Sequence, residues 1–166
     1  QWVFRAPEHW THTEVDAAAN RALLAVEAAS YTRATEERAP HAALYPLSLS
    51  ARTQVLKGRL NSGEVIGYFT DLRDPRHSVR TLYFHTRFST NTEPHPTMAQ
   101  PFRLMAHNGE LNTDRKNRLS DEALAAARTR SIVRPPGQSD SSRLDQTLQS
   151  RVFDDGLEIV EAVVTL

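Results

Sequence analysis

Residues 82–113 read LYFHTRFSTNTEPHPTMAQPFRLMAHNGELNT, and the rest of the chain is most easily placed by working outward from them. Leu82 to Arg87 is an apolar and aromatic run of the kind that forms a buried strand. It ends at Arg87, followed by Phe88 and the polar segment Ser89 to Thr92, so the local reading is an anion-binding arginine at a strand end. A second run, Pro101 to Ala106, leads to His107-Asn108-Gly109-Glu110. There an Asn-Gly pair predicts a tight turn, because glycine tolerates positive φ, and such a turn exposes backbone N–H groups.

Upstream, Thr13 to about Arg38 is rich in alanine, with Val15, Ala18, Ala22, Ala25, Val26 and Ala29 at helical spacing. Thr13 or Thr11 is the candidate cap and Pro40 the terminator, and the apolar positions are expected to face inward. Ala42 to Leu49 and Arg52 to Leu56 alternate in part between apolar and polar residues and predict an antiparallel hairpin, with Pro46 at an edge or bulge. Asn61-Ser-Gly63-Glu64 opens a short helix, and Asp71 to Pro75 turns the chain toward the central run. Downstream, a helix capped by Ser120 or Asp121 is expected to run to about Arg130. Another begins at Ser139 to Ser142, with Leu144, Thr147, Leu148 and Val152 following it.

A chain of 166 residues is long enough to bury one substantial core. Twenty basic residues, Lys+Arg 20, balance Asp+Glu 20, so there is no electrostatic footprint for nucleic acid or an anionic membrane. No run approaches the roughly 20 apolar residues of a membrane span, and the cytoplasm is the expected compartment. The chain has no cysteine, which excludes disulfides and thiolate metal ligands. Its seven histidines, His 7 in the composition, lack HxxxH or HExxH spacing, so no metal site is expected.

Three blocks, HTRFSTNT at 85–92, AQPFRLMAHNGELNT at 99–113 and SDSSRLD at 139–145, together resemble the glutaminase domain of the glutamate synthases. These are class II glutamine amidotransferases of the N-terminal-nucleophile hydrolase type. The resemblance runs more loosely over nearly the whole chain and implies an α+β fold, the four-layered αββα sandwich, here incomplete. Gln1 to Arg5 is apolar from its first residue and Leu157 to Leu166 stops within an apolar run. Residues 1–166 are therefore expected to be the C-terminal part of such a domain, truncated at both ends. The sequence departs from the family at Glu93 and His95, where aromatic residues are usual, and is shorter than the family between Asn117 and Ser120.

The resemblance also implies a site. Glutamine presents a carboxylate, an ammonium and a side-chain amide. Arg87 is expected to hold the carboxylate with its planar guanidinium, Asp140 the ammonium, and Thr90 to line the pocket. The Asn108 side-chain amide and the Gly109 N–H are expected to form the oxyanion hole, where each donor typically lowers a barrier by about 2.7 to 4 kcal/mol. Read singly, each has a plainer role: Arg87 a surface ion-pair partner, Asn108-Gly109 a turn, Asp140 a helix cap. His107 is expected to be structural, since this hydrolase type takes its base from the nucleophile's own amine, and Arg52 and Lys57 are expected to be structural too.

The family attacks glutamine with an N-terminal cysteine, which this chain lacks. Gln1 is no substitute, so the chain alone is expected to bind glutamine weakly and hydrolyse none. The resemblance implies further partners in the parent protein: the missing N-terminal half of the domain, and a synthase domain with FMN and an iron–sulfur cluster that reduces 2-iminoglutarate to glutamate. Two alternatives stand beside the fragment of a working enzyme. One is a glutamine-binding module that has lost its nucleophile; the other is the non-catalytic half of a split amidotransferase.

Overall fold

The computed structural model describes residues 3–39, 43–86, 95, 99–107, 114–127 and 139–166. Its longest element is α1, His12–Glu36. Thr11 caps it: its hydroxyl accepts the Glu14 amide at 3.3 Å while the Glu14 carboxylate accepts the Thr11 amide at 2.7 Å, a reciprocal capping box. Those hydrogen bonds, the one from the Thr11 backbone foremost, hold the Glu14 carboxyl below its ordinary pKa. At the other end Arg38 takes a left-handed conformation, φ 56°, and the Ala39 amide donates back to the Ala34 carbonyl at 2.8 Å. That closure satisfies a terminal carbonyl left over by the helix. Pro40, the expected terminator, lies outside the described residues.

The face that α1 buries is not the one its alanines and valines predict. Ala22, Ala25, Val26 and Ala29 are exposed, whereas Asp16, Asn20, Leu23, Glu27 and Ala34 are buried. The stripe keeps helical spacing but is mainly polar. Its charges have distant partners: Asp16 is met by Ser50, Ala51 and Arg52, and Glu27 by Arg103. A buried charge is tolerable when paired and hydrogen-bonded, so the partners, rather than local hydropathy, set the helix's rotation.

The expected hairpin is also replaced. Residues 43–57 are irregular, with a bend at Ala51-Arg52, and form no strand. Five of their amides go to side chains instead of a ladder. The Leu44 amide donates to Ser30 Oγ at 2.6 Å, the Ala51 amide to Asp16 at 2.7 Å, the Arg52 and Thr53 amides to Ser50 Oγ at 3.0 and 3.1 Å, and the Val55 amide to Ser48 Oγ at 2.9 Å. Pro46, which brings no N–H, instead offers its carbonyl to Arg103. The central run differs in the same way. Residues 81–85 have no strand pairing, and Leu82, Tyr83 and Phe84 are 70, 69 and 77 % exposed, where a buried strand was expected.

Asn61 leads into a 3-10 turn, Ser62–Glu64, and then α2, Val65–Tyr68, its own amide donating to the Glu64 carboxylate at 2.8 Å. A second 3-10 turn, Thr70–Arg73, follows. Helix α3 spans Asp114–Ala127, starting ahead of Ser120 and Asp121, which lie within it rather than capping it. Helix α4 spans Asp140–Gln149 and starts within the expected Ser139 to Ser142 stretch; its cap is Ser139, whose hydroxyl accepts the Ser142 amide at 3.1 Å, rather than Asp140. It widens into a π turn, Ser150–Asp154, and the chain turns at Gly156, φ 73°, into α5, Ile159–Val164. Helix α3 packs on α4, the π turn on α1, and α5 on α4. Among the described residues every regular element is helical, so the strands of the expected αββα layering are not found there.

Candidate functional site

Of the five residues singled out in the sequence, Asp140 is described; Arg87, Thr90, Asn108 and Gly109 lie outside the described residues. Asp140 is the first residue of α4 and is exposed. Its Oδ1 accepts the Ser141 amide at 2.8 Å. The helix cap is Ser139, not Asp140, so the Asp140 carboxylate keeps acceptor capacity facing solvent.

Ser141 turns the other way. It is 8 % exposed, and its Oγ lies 2.6 Å from Nε2 of His107. The His107 amide donates to Gln100 Oε1 at 2.6 Å. The residue immediately before Asn108 is thus held against the residue immediately after Asp140, across 34 positions of sequence. The structural role expected for His107 is this link.

One turn further along α4, Asp145 is 3 % exposed and gathers the preceding segment. Its Oδ1 accepts the Leu104 and Met105 amides, both at 2.8 Å, and its Oδ2 accepts the Arg103 amide at 3.2 Å and Gln149 Nε2 at 2.7 Å. Burial pushes the Asp145 carboxyl above its ordinary pKa, opposed by the three amides and by the Arg103 charge.

Arg103 carries the network to α1. Its Nη2 donates to Glu27 Oε2 at 3.3 Å and to the Pro46 carbonyl, and its guanidinium lies 4.9 Å from the Tyr45 ring centroid. Burial raises the Glu27 pKa, partly offset by Arg103, and burial likewise raises that of Tyr45. Lys57 completes the cluster: its Nζ donates to the Ala99 carbonyl at 2.6 Å and lies 4.9 Å from the Phe102 ring centroid and 6.0 Å from that of Tyr45. Burial lowers its pKa to about 8, with Asp145 acting against the fall and Arg103 with it. Arg52 lies apart, 2.6 Å from Asp16. Burial resists ionisation of Asp16, but hydrogen bonds from Ala51, Ser50 and Arg52 together hold its carboxyl below the usual value.

The sequence reading assigned no role to Asp145, Arg103, Glu27 or Tyr45. Asp145 does close the SDSSRLD block, six positions after the Ser139 cap, and sits at i+4 from Ser141 on the same helix face. That spacing is the one sequence signal that pointed to it. Among the described residues no group of His, Asp and Glu is arranged to hold a metal, and no helix is long and apolar enough to cross a membrane.

The family profile of the class-II glutamine amidotransferases matches residues 4–166. The ferredoxin-dependent chloroplastic glutamate synthase of Oryza sativa subsp. japonica is 39 % identical over 128 residues, 70 % of this chain and 8 % of that protein. The NADH glutamate synthase of Saccharomyces cerevisiae is 36 % identical over 132 residues, 74 % of this chain and 6 % of its own. The large chain of the NADPH glutamate synthase of Azospirillum brasilense is 44 % identical over 73 residues, 44 % of this chain and 5 % of its own. The chain therefore spans less than a tenth of the length of these relatives. No solved structure gives a significant match.

Proposed function

We propose, from the premise that this chain belongs to the class-II glutamine amidotransferases, that it is the glutamine-gripping part of a glutaminase site serving a glutamate synthase. In this reading Arg87 clasps the α-carboxylate bidentately and Asp140 takes the α-ammonium. Thr90 lines the pocket. The Asn108 side-chain amide and the Gly109 N–H receive the charge that develops on the amide oxygen when a nucleophile attacks carbon.

The observation that carries the reading is the His107–Ser141 contact. His107 precedes Asn108 and Ser141 follows Asp140 in the sequence, so a contact between these two described residues supports a site that draws on both segments. The Asp140 carboxylate, uncommitted as the cap, is free to meet a cation.

The attacking group is not among these residues. A thiolate is the nucleophile of this family and the chain has no cysteine, so ammonia release needs a cysteine supplied from outside the 166 residues of this sequence. Leu82, Tyr83 and Phe84, exposed in the run leading to Arg87, support further polypeptide covering this side, in the same chain or as the other half of a split enzyme. The αββα sandwich and a cytoplasmic setting belong to the same proposal. Iron–sulfur clusters are held by cysteine thiolates; the residues here do not fit one, and any cluster and FMN would sit in a synthase domain.

The reading is tested by titrating L-glutamine and L-glutamate into the isotope-labelled chain and following the amide signals. Selective glutamine binding in the millimolar range, lost on Arg87→Lys, is expected. Equal response to both amino acids, or ammonia release above the buffer blank by the purified chain, would contradict it.

A further inference from the structure

Helix α4 meets the 103–107 segment at two points on one face. Ser141 touches His107, and Asp145, four residues along and about 6 Å of helix rise away, takes the amides of Arg103, Leu104 and Met105. Two points fix rotation as well as separation, so the direction in which the neighbouring Asp140 projects is set by the same clamp. We propose that Asp145 is a positioning residue for glutamine capture: by gathering those three amides onto α4 it sets where the Asp140 carboxylate stands for the ligand's ammonium. The inference rests on the reading of Asp140 given above and adds a residue to it.

The chemistry requires a carboxylate at this place. Four donors converge on two oxygens, two on each, and an asparagine would turn an NH2 group toward two of them. Gln149 serves the same end. It is 2 % exposed, donates its Nε2 to Asp145, and its Oε1 has no hydrogen-bond partner, so its buried amide is oriented by Asp145. Arg103 fastens the gathered segment from behind, to Glu27 and to the Pro46 carbonyl, so the segment is held on α1 and α4 together.

A role in positioning is separable from a role in folding by a ligand that lacks the ammonium. The probes are L-glutamine and glutaramate, its analogue without the α-amino group, titrated into the full chain and its Asp145→Asn, Asp140→Asn and doubly substituted variants, with binding followed by amide chemical shifts. The wild-type chain is expected to prefer glutamine. Asp145→Asn should cut that preference by about five-fold, a coupling of ordinary size, while leaving glutaramate binding unchanged, and should add nothing in the Asp140→Asn background.

Equal losses for both ligands, or none, would make Asp145 a fold anchor only and overturn the inference while leaving the glutamine reading intact. An unchanged preference in Asp140→Asn would overturn the reading itself and the inference with it. If Asp145→Asn does not fold, Gln149→Met removes one donor without uncovering backbone amides. It should lower the preference in the same sense, and an unaltered preference there counts against the proposal.

Discussion

Nε2 of His107 lies 2.6 Å from Oγ of Ser141, and through that contact two segments that carry the candidate site are held to one another. The hydroxyl is almost wholly buried while the adjoining Asp140 is exposed. One residue of the helix start is therefore used for attachment and its neighbour faces solvent.

Ser141→Ala removes the hydroxyl and leaves the imidazole nitrogen without this partner. A loss of about 1 kcal/mol in unfolding free energy is expected, typical of one side-chain hydrogen bond, read from the urea midpoint at unchanged m-value. An unshifted midpoint would mean the contact carries no net energy.

Arg103→Met should be far more damaging. It strands the buried Glu27 carboxylate and uncovers the Pro46 carbonyl, and breaking one side of a buried pair costs about 3–5 kcal/mol. Adding Glu27→Leu should recover part of that loss, because the stranded charge is gone, giving a non-additive cycle. Simple additivity in denaturant titrations would show that the pair is not coupled.

Lys57 gives a pH dependence of definite sign. Its folded pKa is depressed to about 8 by burial, below the value of about 10.4 for a free lysine, so between these values the unfolded chain binds more protons than the folded one. Stability should therefore rise as pH increases from about 8 toward 10.4, relative to a Lys57→Met chain. The rise should be about 2 kcal/mol after discounting for the residue's partial exposure. Thermal melts of the two chains that keep a constant offset across this window would refute the assignment.

At the start of α1 the sequence leaves Thr11 and Thr13 both open as caps, and the structure selects Thr11. Thr11→Ala is expected to cost about 1 kcal/mol. Thr13→Ala, inside the first turn, should cost little. Reversal of that order in chemical denaturation would put the helix start elsewhere.

Helix starts near Thr11, at Asn61 and within Ser139 to Ser142 were legible because a cap acts on amides two or three residues away, within reach of local sequence, while the choice of Thr11 over Thr13 and of Ser139 over Asp140 comes from the structure. The rotation of α1 was not, since it depends on Arg52 and Arg103, 36 and 76 positions from their carboxylate partners, and no local periodicity encodes such distances. The segment 43–57 has the alternation of a hairpin, yet serine and aspartate side chains take its amides. That competition with backbone pairing is a known habit of these residues, but which side wins is a tertiary matter. For the candidate site, the family blocks name Asp140, while Asp145 and Arg103, which meet the segment before His107, were not singled out because their partners lie tens of positions away.

The inward stripe of α1 has one more consequence. An oily stripe tolerates sliding or turning by a few degrees, because any greasy neighbour will serve; the buried carboxylates of this stripe do not, since Asp16 and Glu27 answer to named counterparts. Asp16 with Arg52, and Glu27 with Arg103, work as keyed teeth. A designer transplanting this helix into another scaffold would have to carry both arginines along, or else erase the teeth altogether.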